Sequence, residues 1–489
     1  MKKYQFWFLT GSQHLYGEEP LKEILNHSEI MVDGLNKSAK IPGTIVNKGL
    51  VTKADEITKV MLEANNDPNC AGVITWMHTF SPSKMWIEGL TRLQKPMLHF
   101  HTQFNKEIPW ETIDMDFMNL TQSAHGDREH GFIATRLRKP RKVVAGYWEN
   151  DRVRERIGGW MRSAIGVIES QNLKVVRFGD NMREVAVTEG DKVEAQIKFG
   201  WEVNTQPVGK LVKYMDAVTE AEVDAQMKIF TEKYDIKTDN IEAVRYQTIE
   251  YIAIKKLLAD EDSKAFTNTF QDLYGMKQLP GLASQELLGE GYGYGGEGDW
   301  KTSAMTRIMK VMAEGLEGGT AFMEDYTYHL EEGNELVLGA HMLEVCPTLA
   351  AGKPTIEVHE LGIGDREAPA RLVFNGGSGS AIQVSLIDMG GRFRLIVADV
   401  EAVAPLKDMP KLPVARVMWK PMPNLEVGAE AWILAGGAHH TVMSYSLTAE
   451  HMRDFADMMG IEFIHINKDT TIAKLQQELI LSDMVWKLK

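Results

Sequence analysis

The sequence predicts an α/β protein in which two doubly wound parallel-sheet domains are followed by a β-rich, largely antiparallel C-terminal domain. Three observations predict it. The 489 residues are about three times an ordinary domain. Short apolar runs alternate with longer helical patterns through the first third, the rhythm of a parallel sheet with crossover helices, and a second α/β unit follows. After Gly318-Gly319 the texture changes to strand-like runs broken by Gly and Pro.

In the first domain, set at residues 1–172, the strands are YQFWFL (4–9), AGVITW (71–76), PMLHFH (96–101) and KVVAGYW (142–148). Ligands of such sheets collect at the carboxyl ends of strands. Those ends carry Gln13, His14 and Tyr16 after the first run and His101, Thr102 and Gln103 after the third. DRVRERIGGWMRSAIGVIES (151–170) is helical, with Asn150-Asp151 as capping residues. The second domain, 173–317, opens with KVVRFGDNM (174–182), passes through helical stretches at 220–234 and 249–259, and closes on a helix from 299 to about 315. The third, 318–489, reads as strands in NELVLGAHMLEV, RLVFNGGSGSAIQVSLIDMGGRFRLIVADVEAV, ARVMWKPMP and AEAWILAGGAHHTVMSYS, and a helix begins at Thr448-Ala449-Glu450.

Composition narrows the function. A formal net charge of -14, from 54 basic against 68 acidic residues, argues against a nucleic-acid or anionic-membrane surface, because phosphate binding needs clustered Lys and Arg. A neutral, polyhydroxylated substrate is compatible with it. Cys70 and Cys346 both lie in apolar runs and read as buried reduced thiols, which points to the cytoplasm. The opening apolar run, 4–9, is too short for a signal-peptide core, and no stretch approaches the ~20 apolar residues of a membrane span.

Gly291 to Gly296, GYGYGG, satisfies the dinucleotide pattern GxGxxG, but it follows the helical ASQELLGE rather than a strand, so the context fails. AAGKPT has Pro354 where a phosphate loop needs Ser or Thr. Four residues in other motif-like stretches form a mixed oxygen and nitrogen ligand set: Glu297, Glu324, His341 and His440. Taken singly, Glu297 also reads as a carboxylate at a helix start, although Asp299 fills the capping role more naturally. Glu324 also reads as part of an exposed charge pair with Asp325, although Phe322, Met323, Tyr326 and Tyr328 make its surroundings apolar. His341 on a strand would share a face with Leu343 and Val345, as a core histidine does, and His439 and His440 would point to opposite faces.

Together FLTGSQHLYG (8–17), QSAHGDREHGFI (122–133), GYGYGGEGDWK (291–301), FMEDYTYH (322–329), VLGAHMLEVCP (337–347) and AGGAHHTV (435–442) closely resemble the L-arabinose isomerases, over essentially the whole chain. The resemblance implies a fucose/arabinose isomerase-like fold and an intramolecular oxidoreductase of cytoplasmic carbohydrate metabolism. Its reaction would convert L-arabinose to L-ribulose, with D-galactose to D-tagatose as a side activity. It implies one Mn²⁺ per subunit, replaceable by Co²⁺, on Glu297, Glu324, His341 and His440, with His439 an uncertain neighbour. Glu297 and Glu324 would be the catalytic acid/base pair working through a cis-enediol. Gln13, Tyr16, Gln122 and His125 would line the sugar site, with Met182, Phe270 and Tyr326 as its apolar wall. It further implies a homohexamer of two trimers with active sites shared between subunits. An L-fucose isomerase relative and a non-catalytic sugar-binding module are the alternatives.

Overall fold

A computed structural model describes residues 4–362 and 365–488. They form two compact units, one running to Ile168 and including Arg453–Gly460, the other comprising Glu169–Met452 and the chain from Ile461 onward.

The first unit is built on five parallel strands: β1 (Gln5–Gly11), β2 (Thr44–Val51), β3 (Cys70–Met77), β4 (Met97–His101) and β5 (Lys142–Ala145), in the order β2-β1-β3-β4-β5. β3 is buried along its whole length, as a continuous apolar run in a doubly covered sheet should be. β2 was not expected from the sequence. TIVNKGLV lies at the sheet edge and is mostly half-buried, so it shows neither an apolar run nor clean alternation. The order reverses between β1 and β3, which is where such sheets open a crevice at their carboxyl ends.

The second unit continues with β6 (Lys174–Phe178), β7 (Glu202–Gln206), β8 (Asp235–Ile236), β9 (Ala265–Asn268), β10 (Gly293–Gly295), β11 (Thr320–His329), β12 (Leu336–Ala340), β13 (Thr355–Val358), β14 (Ala370–Val373), β15 (Gly379–Asp388), β16 (Phe393–Val403), β17 (Arg416–Pro421), β18 (His440–Ser444) and β19 (Glu462–Ile466). A parallel sheet runs β10-β9-β6-β7, and β8, β13 and β14 make a small sheet beside it. The order β15-β18-β11-β12-β17-β16 closes through β15–β16 pairing into an antiparallel barrel, with β19 added parallel to β16. Closure removes the exposed edges an open sheet would leave.

The helix Trp300–Met312 joins the two architectures, packing on β6, β9 and β10 and on β11, β15 and β18 of the barrel. It is buried nearly all round, and apart from Lys301 its buried residues are apolar or small and polar. One expectation is corrected. AEAWILA is not strand but the end of a helix, Leu425–Ala435, because Asn424 caps the amide of Val427 and Gly436 takes the left-handed turn that stops it.

Glu250, on the helix Ile241–Asp260, is fully buried, and neither carboxyl oxygen makes a regular hydrogen bond. Burial pushes its carboxyl well above the ordinary range, only partly countered by the Gln247 amide. The folded state therefore holds a proton that the unfolded chain releases near pH 4.3, and stability falls as pH rises above that value, by up to about 1.4 kcal/mol per unit. Glu250→Gln should raise the melting temperature at pH 8 and leave it little changed at pH 4. Equal shifts at both pH values would contradict this.

Candidate active site

The barrel register and one turn bring the four ligand candidates together. Glu324 on β11 pairs with His440 of β18 on one side and with Ala340 of β12, the residue before His341, on the other. Glu297 arrives from the turn after β10. There it adopts a φ of 59°, a left-handed conformation that costs a non-glycine residue about 1–3 kcal/mol. Its carbonyl accepts from the amide of Met182 at 2.9 Å, and the next amide, Gly298, donates to Asn268 at 2.9 Å, which fixes the turn. Glycine is required on both sides. A Cβ at Gly296 would come within 2.9 Å of His341 Nε2, and one at Gly298 within 2.5 Å of the Asn181 backbone.

Glu297 Oε2 lies 3.7 Å from Nε2 of both His439 and His440, and Glu324 Oε2 lies 3.9 Å from His341 Nε2. The His341 and His440 rings are 6.0 Å apart, each edge-on to Phe322. Strand alternation predicted that only one of His439 and His440 would face this point. Both do, because β18 starts at His440 and His439 sits in the preceding turn, where alternation does not hold. Among the described residues, the ligand atoms of Glu297, His439 and His440 all lie within 4.8 Å of one another, close enough to hold one metal ion; Glu324 and His341 fall outside this group. His341 likewise lies beyond the end of β12, not on a strand with Leu343 and Val345.

Each buried imidazole is oriented by a second carboxylate. His440 Nδ1 lies 3.1 Å from Asp299 Oδ2, and Asp299 also caps the helix by accepting from Thr302. His341 Nδ1 contacts Glu344, which is held by the Tyr294 hydroxyl at 3.1 Å and the Leu343 amide at 3.1 Å. With Nδ1 engaged on both rings, Nε2 is the atom left to face Glu297 and Glu324. His440 Nε2 is buried with no hydrogen-bond partner among the described residues.

Electrostatics show that this cluster attracts positive charge. The His439 ring, 3.7 Å away, leads the causes that hold Glu297 below the usual carboxylate range, and Glu297 in turn raises His439. Burial opposes charge on His341, but Glu344, Glu324 and Glu297 raise it to about 9. Asp299 stays ionised in spite of burial, through Lys301 and His440. Burial and the neighbouring Glu324 push Asp325 up to about 7. An orphaned imidazole nitrogen, excess carboxylate and pre-set tautomers fit a divalent cation taking oxygen and nitrogen ligands.

Glu297, Glu324, His341 and Glu344 line a cavity of about 220 Å³ together with Asn268, Phe270, Leu279, Asp325, Tyr326, Met342 and Leu361, whereas His440 is fully buried and does not line it. Phe270 and Tyr326 are thus in its wall. Met182 is not among the lining residues and reaches the site through its backbone. Gln13, Tyr16, Gln122 and His125 belong to the first unit and gather at the carboxyl edge of its sheet. The Tyr16 hydroxyl donates to Gln122 Oε1 at 3.3 Å, the Gln122 amide donates to the His78 carbonyl at 3.0 Å, and His125 packs on Phe80. Asp299 and Glu344 were missed as site residues. Both are carboxylates a few positions from a ligand candidate, Glu344 three residues after His341, and that spacing was the available signal.

Parallel sheets joined to a closed barrel, with carboxylates and imidazoles converging on a cavity beside the junction, define an α/β protein with a buried polar centre suited to small-molecule chemistry. The L-arabinose isomerase N-terminal, central and C-terminal domains match residues 1–172, 174–315 and 319–462. The chain is 59% identical to the L-arabinose isomerase of Geobacillus stearothermophilus, 57% to that of Clostridium beijerinckii and 54% to that of Tolumonas auensis. Each comparison covers all of this chain and 99% of the relative. The chain belongs to the L-arabinose isomerase family, and is an isomerase. No helix among its described residues is long and apolar enough to cross a membrane. Cys70 and Cys346 are free and buried.

Proposed function

We propose that this chain interconverts L-arabinose and L-ribulose, with D-galactose to D-tagatose as a lesser reaction. The observation that carries this reading is the approach of Glu297 to His440 and of Glu324 to His341, with Glu297, Glu324 and His341 lining one cavity, within a chain of this family. Glu297, Glu324, His341 and His440 would hold a Mn²⁺ ion, or Co²⁺ in its place, with His439 beside Glu297. When bound, such an ion supplies Lewis-acid polarisation of the sugar carbonyl and its neighbouring hydroxyl.

The chain's own groups move the protons. One carboxylate of the pair takes the proton from C2 of the open-chain aldose and returns it to C1, while the other carries the proton between O2 and O1 through a cis-enediol. Phe270 and Tyr326 supply apolar wall to the cavity in which the sugar would sit. Gln13, Tyr16, Gln122 and His125 offer donors and acceptors suited to hydroxyls. Turnover measured side by side on L-arabinose, D-galactose and L-fucose tests the proposal. L-Arabinose should be fastest; preference for L-fucose would assign a different isomerase, and binding without turnover would leave a sugar-binding module.

His341→Ala and His440→Ala should each lower Mn²⁺ content and activity together, by at least about tenfold, since losing a ligand costs more than losing its hydrogen-bonding partner. Unchanged Mn²⁺ binding in both variants would remove the ligand assignment. His125→Ala should raise KM for L-arabinose by about tenfold, one lost hydrogen bond, with Mn²⁺ content unaltered. An unchanged KM would strike His125 from the sugar contacts. The expected hexamer is tested by sedimentation, where a monomer would refute it.

A further inference from the structure

Lys301 is an unusual residue to find in the first turn of a helix that joins two sheets. Its side chain is 1% exposed, and its ammonium group donates to the carbonyls of Thr188 at 2.9 Å and Glu189 at 2.6 Å. The third direction faces Asp299 Oδ1 at 3.4 Å. A buried ammonium group needs three acceptors and a counter-charge, and here it has them. Asp299 is equally buried and divides its oxygens: Oδ1 toward Lys301 and the Thr302 amide, Oδ2 toward the Thr302 hydroxyl and His440 Nδ1.

The chain of contacts runs Lys301, Asp299, His440, Glu297. Its far end lies on the loop that also anchors Glu297, because the Asn181 side chain donates to the same Thr188 carbonyl at 2.6 Å and the Met182 amide donates to the Glu297 carbonyl. Two ligand candidates, one from the β10 turn and one from β18, are therefore tied to a single ammonium group that touches neither.

We propose that Lys301 is a positioning residue: it fixes the Asp299 carboxylate so that His440 presents Nε2 to the cation. The inference rests on the reading of His440 as a ligand. The ammonium charge matters because a carboxylate buried without it would swing toward other donors and lose its hold on His440 Nδ1. Methionine at this position would keep the packing and lose both the charge and the two carbonyl bonds.

The test is Mn²⁺ affinity by titration calorimetry, read independently of turnover, on the full chain and on Lys301→Met, Asp299→Asn, the double variant and His440→Ala. Lys301→Met should weaken Mn²⁺ binding by about ten- to a hundredfold, the range for loss of groups that orient ligands. In the Asp299→Asn background it should add less than about threefold, because the two act through one contact. If Lys301→Met does not fold, the double variant, which leaves no unpaired buried charge, supplies the comparison and should match Asp299→Asn alone. Unchanged affinity in folded Lys301→Met, or full additivity with Asp299→Asn, would overturn the inference while loss of binding in His440→Ala upheld the ligand reading. Unchanged binding in His440→Ala would instead bring down that reading and this inference with it.

Discussion

Replacing Glu324 with Gln is expected to reduce turnover of L-arabinose by about a hundred- to ten-thousandfold at saturating Mn²⁺, the range that a positioned acid/base group contributes. The amide keeps an oxygen where the carboxylate had one but cannot accept a proton. Glu324 sits in a row of the barrel fixed on both sides by backbone pairing, with Ala340 and with His440, so the exchange should not disturb the register. Circular dichroism and melting temperature should therefore stay near those of the parent. Turnover within a few-fold of the parent would take the acid/base role from Glu324 and leave it at most a ligand.

Much of the architecture was legible because burial is written into local pattern. β1, β3 and β4 are apolar runs buried on both faces, and the strands of the barrel alternate or run apolar between glycines. β2 was not legible, since an edge strand half in contact with solvent carries no period. The helix 425–435 misled because its apolar residues fall on consecutive positions, and only Asn424 and Gly436 at its ends mark it as helical.

At the site, residue types could be read but their approach could not. Nothing local to FMEDYTYH or AGGAHHTV says that Glu324 and His440 share a row, because register is a long-range property set by the whole barrel. Asp299 looked like a cap and is one, but the same carboxylate also holds His440, a contact across 141 residues. Glu344 was hidden by treating 341–345 as strand. The strand stops at Ala340, and the turn that follows folds Glu344 back onto the His341 ring.

The second large effect is expected from stripping the proposed Mn²⁺. Against the opposing effect of burial, the Glu344, Glu324 and Glu297 carboxylates raise the His341 imidazole to about 9 when no other cation is present. A protonated imidazole offers no ligand atom, so cation and proton compete, and Mn²⁺ affinity should fall as pH drops. Without the ion, the open-chain sugar would have to lose its C2 proton with no Lewis acid to stabilise the charge that develops.

The most direct measurement is turnover of L-arabinose by chelator-stripped protein, assayed alone and after adding back Mn²⁺. Activity should fall at least about a hundredfold on stripping, a loss of roughly 2.7 kcal/mol of barrier lowering, and return with about one equivalent of Mn²⁺ per chain. Full turnover by protein shown to be free of metal would contradict the assignment of Glu297, Glu324, His341 and His440 as a metal centre.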